Sequence, residues 1–482
     1  MLNVGLARWT LGRAGGGVLF HSWVLPRLIF PLHERLSRHN FWSGFLELKA
    51  LQWSKPEKLQ ARSLARLQGL LGHAYDKVPY YRDLFTKAGL VPTDIRDLED
   101  LALVPMTTKA DMRKNYPARV TVQDLKRGRA QKKITSGSTG MPLEFYADRG
   151  HMDIVRSSYL FFWDWAGLHP WTPGVRIAMP PHFYSQRGVR ASARESLRRM
   201  ILGERVALLA GESLDVEELE KEIRRVAGHG RYYIWAFPSY AARLAAQILE
   251  RGIPFQQPPC VVISYAESLS PADERLIREA FGCTIANHYG SLEIPFVAQT
   301  CPENQGMLHI NSERAVVRVV AEDGIPVKPG EKGRVIITDL SNYIMPFINY
   351  DTGDMAVAGE TCSCGRGLPT IERLEGRMVE VLRVPGGRTV SSGTLGHFLC
   401  VVCKAAPYLS EYQFVQTCPN EVTLKLVPTS LIPATTCEFL RVQLEGFLDG
   451  RMAVSIETVD AIEREVSGKR FIIKSSLVHS PS

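Results

Sequence analysis

Short apolar runs recur through the middle of the chain, each followed by a turn and an amphipathic stretch. Val175-Arg176-Ile177-Ala178-Met179, Tyr232-Tyr233-Ile234-Trp235-Ala236 and Val261-Val262-Ile263-Ser264 have the length and the β-branched or aromatic content of buried strands. The stretches Pro238 to Arg251 and Pro271 to Phe281 repeat apolar residues at helical spacing. Strands alternating with helices predict an α/β sheet. From about residue 307 to 382 the rhythm changes to strands punctuated by turns such as Asp323-Gly324-Ile325-Pro326 and Lys328-Pro329-Gly330, which predicts a β-rich subdomain. Residues 55 to 115 read as helices, with polar starts at Ser54-Lys55-Pro56-Glu57 and Thr107-Thr108-Lys109-Ala110-Asp111. The stretch from about 380 to 482 alternates strands with one or two helices, as a small α+β domain does.

Size and charge narrow the classes. A chain of 482 residues exceeds what one core usually holds, so a large domain with at least one smaller partner is expected. The net charge of +8 is modest for this length, and the clusters Lys126 to Lys133 and Arg194 to Arg199 are not interleaved with base-stacking aromatics, which argues against a nucleic-acid partner. Nine unevenly spread cysteines do not form a secreted disulfide framework, so a reducing cytoplasm is expected. The apolar stretch Gly15 to Leu32 is interrupted by His21, Pro26, Arg27 and Pro31, which disfavours a membrane span, and it lacks a signal-peptide cleavage site. Up to Arg38 the charges are Arg8, Arg13, Arg27, Arg35 and Arg38 against the single acid Glu34, interspersed with Trp9, Phe20, Trp23 and Phe30. That pattern suits peripheral contact with an anionic membrane, and equally an amphipathic hairpin packed on the main domain.

Candidate chemistry begins at Thr135-Ser136-Gly137-Ser138-Thr139-Gly140. Glycines let backbone N–H groups approach phosphate oxygens, and the hydroxyls add uncharged donors, so the run reads as a polyphosphate loop leaving a strand at Ile134. A Walker loop would end in Gly-Lys-Ser or Gly-Lys-Thr. Here Gly140 is followed by Met141-Pro142-Leu143, which excludes that class. Downstream, His288-Tyr289-Gly290-Ser291-Leu292-Glu293 offers an aromatic to stack on a base and a carboxylate to hold magnesium. Tyr350-Asp351-Thr352-Gly353-Asp354 places a carboxylate after a tight turn, suited to ribose hydroxyls. Glu375-Gly376-Arg377 and the lone Lys469 after Gly468 complete the series.

In this order the segments resemble the adenylate-forming superfamily of acyl- and aryl-CoA ligases, luciferases and peptide-synthetase adenylation domains. Ala74-Tyr75-Asp76-Lys77-Val78-Pro79-Tyr80-Tyr81-Arg82 and Leu103-Val104-Pro105-Met106-Thr107-Thr108-Lys109 look like its phenylacetate-CoA ligase branch, especially the capsular-polysaccharide, CapK-like members. The resemblance implies an N-terminal helical extension over residues 1 to 60, an AMP-binding domain over 61 to 377, and a mobile C-terminal domain over 378 to 482. It implies an ATP-dependent ligase that makes an acyl- or aryl-adenylate and passes it to a thiol, coenzyme A above all. Thr135, Ser136, Gly137, Ser138, Thr139 and Gly140 would bind phosphates, Tyr289 with Gly290 the adenine, and Glu293 magnesium. Asp354 and Arg377 would hold the ribose, and Lys469 would be the catalytic cation. Two features depart from the branch. Leu292 stands where a threonine is usual, and the hinge acid is Val379 with Glu380 one place later.

Cys362-Ser363-Cys364 and the pair Cys301 and His309 would together bind structural zinc, and similar sets occur in the branch. Cys260, Cys283, Cys400, Cys403 and Cys418 read as core. His182-Phe183-Tyr184 follows a predicted strand where the superfamily often places an acyl pocket, or is an ordinary loop. The aromatic content of 159 to 187 and 231 to 240 favours an aromatic or apolar acid, whose identity is not legible. The acceptor alternatives are a sugar or amine in surface-polysaccharide biosynthesis. A non-catalytic nucleotide-binding member is the alternative of a different class.

Overall fold

The computed structural model describes residues 20–125, 130–135, 143–178, 206–210, 214–228, 230–252, 255, 257–267, 269, 271–304, 306–375, 381–386, 388–399, 403, 405, 408–429, 432–463 and 472–477. A helical entry comes first: a wide turn Phe20–Ile29, then α1 (Phe30–Ser37), α2 (Phe41–Leu51), α3 (Pro56–Lys77), α4 (Pro79–Lys87) and α5 (Lys109–Asn115). Thr108 caps α5 as its sequence predicts, its hydroxyl accepting from Asp111 N while Asp111 accepts from Thr108 N. The start of α3 differs from expectation. Lys55 occupies the cap without a side-chain bond and Pro56 supplies the first turn, because its fixed φ is already helical.

The strands β1 (Ala130–Ile134) and β2 (Glu144–Asp148) form an antiparallel pair leading into α6 (Arg149–Trp165). Then follow β3 (Gly174–Ala178), β4 (Val206–Ala210), α7 (Val216–Ala227), β5 (Tyr233–Ala236), α8 (Pro238–Glu250), β6 (Val261–Ser264), α9 (Pro271–Phe281) and β7 (Thr284–Tyr289). These five strands from β3 to β7 run parallel in the order β4-β3-β5-β6-β7. Every residue of β6 is buried, as a strand covered on both faces requires. In α7, Val216, Leu219, Ile223 and Val226 form the buried stripe and Asp215 caps the helix.

At β7 the sheet changes character. The strands β8 (Ala298–Thr300), β9 (Leu308–Ile310), β10 (Ala315–Val320), β11 (Lys332–Asp339), β12 (Tyr350–Ala358) and β13 (Thr370–Leu374) continue it antiparallel, in the order β7-β8-β9-β13-β12-β11-β10. The expected β-rich subdomain is therefore hydrogen-bonded to the α/β sheet through β7. Tyr81 of α4 donates to Pro346 O, and Leu67, Leu70, Leu71 and Phe85 share a core with Val335, Phe347 and Tyr350. The helical entry thereby covers the antiparallel half.

The C-terminal stretch is α+β as predicted. A hairpin of β14 (Val381–Val384) and β15 (Arg388–Ser391) precedes α10 (Ser392–His397), β16 (Leu409–Cys418), β17 (Glu421–Pro428), α11 (Ala434–Phe447), β18 (Ala453–Thr458) and β19 (Ile473–Ser475). The strand order is β18-β17-β16-β19, and the Gln416 side chain bonds both Arg383 N and Arg383 O, tying the hairpin to β16.

Helices α1 and α2 do form the packed hairpin that was one reading of the N-terminus. Phe30, Trp42, Phe45 and Leu48 share a core with Leu160, Phe161 and Phe162 of α6. Asp153 of α6 accepts from Asn40 N at 3.0 Å and meets His39 Nδ1 at 2.7 Å. A Cβ on Gly44 would lie 2.6 Å from Ser157 Oγ, so only glycine permits this approach of α2 to α6.

Candidate functional site

In parallel sheets ligands collect outside the carboxyl ends of the strands, where neighbouring connections diverge. Here β7 ends at Tyr289, and the following turn is closed by Ser291 N to Ile294 O at 3.1 Å and Ile294 N to Ser291 Oγ at 3.1 Å. A Cβ on Gly290 would meet Phe296 N at 2.8 Å, which explains glycine at that position. Glu293 sits within this turn at 6 % exposure, while Leu292 points outward. The Tyr289 hydroxyl donates to Asp354 Oδ2 at 3.0 Å, joining β7 to β12.

Asp354 does not follow a tight turn, as the sequence predicts, but lies inside β12. The pairing of β12 with β11 shifts between Arg334 and Ile336, and Gly353 takes φ +73°. Across the shift β12 carries two residues more than β11, which redirects the side chains around it, so a Thr-Gly pair that reads as a turn is an interruption within a strand. Asp351 Oδ1 accepts from Gly353 N, its other oxygen meets Arg334, and Thr352 Oγ1 accepts from Asp354 N at 3.1 Å.

Thr135, the first residue of the run, directly follows β1, which pairs with β2. Thr135 N donates to Leu143 O at 2.9 Å and Leu143 N to Thr135 Oγ1 at 2.8 Å, closing its neck. Ser136, Gly137, Ser138, Thr139 and Gly140 lie outside the described residues, as do Arg377, Val379, Glu380, Lys469 and the triplet His182, Phe183 and Tyr184. Glu375, just before that gap, is paired with Lys332 at 2.9 Å and with Arg373.

The two aromatic stretches flagged in the sequence meet beside the carboxyl ends of β5 and β6. Tyr159 lies 5.7 Å from Trp235 and 5.3 Å from Phe296, Tyr265 lies 5.1 Å from Trp235 and 4.9 Å from Phe237, and Arg176 sits 4.6 Å over the Trp235 ring. His288 packs 4.5 Å from Phe296, and burial lowers its pKa to about 3, which keeps it neutral. Sequence reading missed Arg176, Tyr265 and Phe296 as members of this wall. Of the three, only Tyr265 carried a signal, its position just beyond the end of β6.

A second cluster lies on the antiparallel half. One ligand atom from each of Cys301, His309, Cys362 and Cys364 falls within 4.8 Å of all the others. Cys301 follows β8, His309 lies in β9 opposite Thr370 of β13, and both remaining cysteines sit in the connection from β12 to β13. Leu368 O lies 3.3 Å from His309 Nδ1, leaving Nε2 turned to Cys364 Sγ at 3.3 Å. That second contact orients an imidazole as metal sites require. Burial pushes the Cys301 thiol up to about 12, so a bound cation would have to displace its proton. Next to this cluster Arg366 is held between the rings of Trp53 and Trp165, at 4.6 and 4.7 Å, and donates to Gln52 Oε1 at 2.8 Å.

No family model matches the chain. It is 29 % identical over 348 residues to the phenylacetate-coenzyme A ligase of Thermus thermophilus, covering 68 % of this chain and 73 % of that one. It is 28 % identical over 349 residues to the phenylacetate-coenzyme A ligase of Escherichia coli, covering 70 % and 76 %. Its fold is similar to that of 2-hydroxyisobutyryl-CoA ligase in complex with 2-HIB-AMP and CoA, with a TM-score of 0.57 at 19 % identity over 87 % of this chain and 90 % of that one. By sequence the chain is thus similar to phenylacetate-coenzyme A ligases, and its fold is that of an adenylate-forming CoA ligase.

Proposed function

We propose that the chain is an ATP-dependent, AMP-forming acid–thiol ligase that activates an aromatic or otherwise apolar carboxylic acid and transfers it to coenzyme A. The observation that carries this reading is the Tyr289–Asp354 hydrogen bond at the end of β7, with the Glu293 turn directly after it. A base stacked on Tyr289 would leave its ribose hydroxyls to Asp354 and Arg377, and its phosphates to Thr135 and the run through Gly140.

In the first half-reaction a carboxylate oxygen attacks the α-phosphorus, the bond to the β-phosphate breaks, and pyrophosphate leaves. Magnesium held by Glu293 would supply charge compensation on the phosphates. Lys469 would stabilise the charge that develops on the α-phosphate, which is electrostatic work and not proton transfer. In the second half the thiol sulfur attacks the acyl carbon, gives up its proton, and AMP departs with the bonding pair. The wall of Tyr159, Trp235, Tyr265 and Phe296 supports an aromatic acid. Residues 1 to 60 then act as a helical extension, 61 to 377 as the adenylating domain and 378 to 482 as the mobile domain that carries Lys469. The attachment of β14 to β16 through Gln416 supports a boundary near 378.

The Cys301, His309, Cys362 and Cys364 set fits a structural zinc: four N/S donors within 4.8 Å of one another, with one imidazole nitrogen turned to a carbonyl. A second acceptor class, a sugar or amine of capsular-polysaccharide assembly, is favoured by one observation, the exposed basic and apolar face of the N-terminal helices. Exchange of labelled pyrophosphate into ATP, measured across a panel of arylacetic, benzoic and short aliphatic acids, tests the reading. Acid-dependent exchange with arylacetic acids, followed by thioester on adding coenzyme A, is expected. Exchange with no acid in the panel would overturn it, and product formed only with a sugar or amine would select the second acceptor.

A further inference from the structure

The segment formed by Phe20–Ile29 and α1 buries one side and leaves the other uncovered. Leu25 and Phe30 are buried against Trp42, Phe45 and α6. Leu28, Leu32 and Leu36 recur every fourth residue, hence on one side of the helical path, and are 54, 54 and 78 % exposed. A row of three such leucines is not the scattered exposure usual on a soluble surface.

The charges on this segment are one-sided. Arg27, Arg35 and Arg38 are exposed, and Arg35 borders the leucine row. Glu34 is the one acidic residue before Glu47, and it does not face outward with them. Its carboxylate accepts from Trp42 N at 2.6 Å and Ser43 N at 3.2 Å, so it is spent on the first turn of α2, where orphan backbone donors need an acceptor. The outward face of this segment is thus apolar and cationic, and its own one acid is turned to α2. The preceding sequence adds Arg8 and Arg13 with Leu2, Leu6, Trp9 and Leu11, and again no acid.

We propose that this face lies on a lipid bilayer carrying anionic phospholipid, with Leu28, Leu32 and Leu36 at the acyl boundary and Arg27, Arg35 and Arg38 on headgroup phosphates. The amphipathic segment would lie in the interface plane, and no helix among the described residues is long and apolar enough to cross. A second copy of the chain is a poorer occupant, because a two-fold contact through this face would oppose the arginines of one copy with those of the other. Because His39 and Asn40 anchor α1 and α2 to Asp153 of α6, binding would hold the whole adenylating domain at the surface. The proposal does not depend on which acid or acceptor the enzyme uses.

Co-sedimentation of the full chain with extruded vesicles tests it. Vesicles of seven parts phosphatidylcholine to three parts phosphatidylglycerol should bind the protein about tenfold more tightly than pure phosphatidylcholine, and 0.5 M salt should remove most of that difference. Leu28→Ser, Leu32→Ser and Leu36→Ser combined should weaken binding to the anionic vesicles at least about tenfold, with circular dichroism and thermal midpoint unchanged. Arg27→Gln, Arg35→Gln and Arg38→Gln combined should erase the preference for anionic lipid. No vesicle binding by the wild type, equal binding by the leucine variant, or a dimer seen by light scattering that the leucine variant abolishes without any vesicle binding would each overturn the proposal.

Discussion

Cys301, His309, Cys362 and Cys364 come from neighbouring strands and one connection, and their donor atoms lie within 4.8 Å of one another. Tyr289 and Glu293 come from the end of β7 and the turn after it, and Asp354 comes from β12. Of these, Tyr289 and Asp354 meet through a single hydrogen bond, and the rest of the proposed chemistry is carried by the loop after Thr135, by Arg377 and by Lys469. The first cluster is closed on itself and sits where β9 pairs with β13. The second is the one proposed to admit a nucleotide and an acid. Substitutions in the closed cluster should therefore cost stability, and those in the open one should cost chemistry while sparing the fold.

Lys469→Ala offers the sharpest break in that comparison. Loss of a cation aimed at developing charge should slow adenylate formation by about 10²–10³-fold, with ATP affinity and melting temperature near wild type. Rapid-quench measurement of acyl-adenylate gives the rate. An unchanged rate would remove Lys469 from the open site.

Next in size is the closed cluster. Protein purified without added metal should carry one zinc per chain by elemental analysis, and Cys364→Ser should lose it together with about 2–4 kcal/mol of stability, because metal binding and local folding are one equilibrium. Denaturant titration would measure that loss. A zinc-free protein of normal stability would show that the four donors are an ordinary buried cluster.

Tyr289→Phe sharpens the boundary between the two regions, since it keeps the ring and removes the hydroxyl that donates to Asp354 and lies 3.5 Å from Thr352 Oγ1. A hydrogen bond to a carboxylate contributes about 1.5–3 kcal/mol, so the KM for ATP should rise about tenfold or more while the melting temperature moves little. A large fall in melting temperature with unchanged KM would make the pair structural.

The smallest effect concerns pH. His288 has its pKa lowered to about 3 by burial, against about 6.5 in an unfolded chain. Its native pKa is depressed, so it contributes nothing to instability above pH 6.5 and withdraws stability as pH falls from 6.5 toward 3, where only the unfolded state takes up the proton. His288→Gln should flatten the unfolding free energy against pH between 6.5 and 5 by about 1.4 kcal/mol per unit. An unchanged slope would mean that His288 titrates normally.

Much of the architecture was legible because local pattern and tertiary role agree. β6 and α9 have the sequence-predicted bounds, since an all-apolar strand and a Pro-started amphipathic helix admit few alternatives. The four metal-type residues were grouped from residue type together with the resemblance to the ligase branch, and their donor atoms do lie together. Asp354 was misread because a Thr-Gly pair signals a turn and a β-bulge equally well, and only pairing with β11 separates the two. The stacking of Arg366 between Trp53 and Trp165 left no trace at all, since three elements distant in sequence create it. Tyr265 likewise gave no signal of its place against Trp235 and Phe237, because that depends on the order of the parallel strands.

The central claim is that one site carries an acid through an adenylate to a thioester. Its most direct test is product stoichiometry with ATP, magnesium, an arylacetic acid that supports pyrophosphate exchange, and coenzyme A. AMP, pyrophosphate and acyl-CoA appearing in equal amounts, with no ADP, is the predicted result. Release of ADP and phosphate, or AMP formed without acyl-CoA at any coenzyme A concentration, would contradict it.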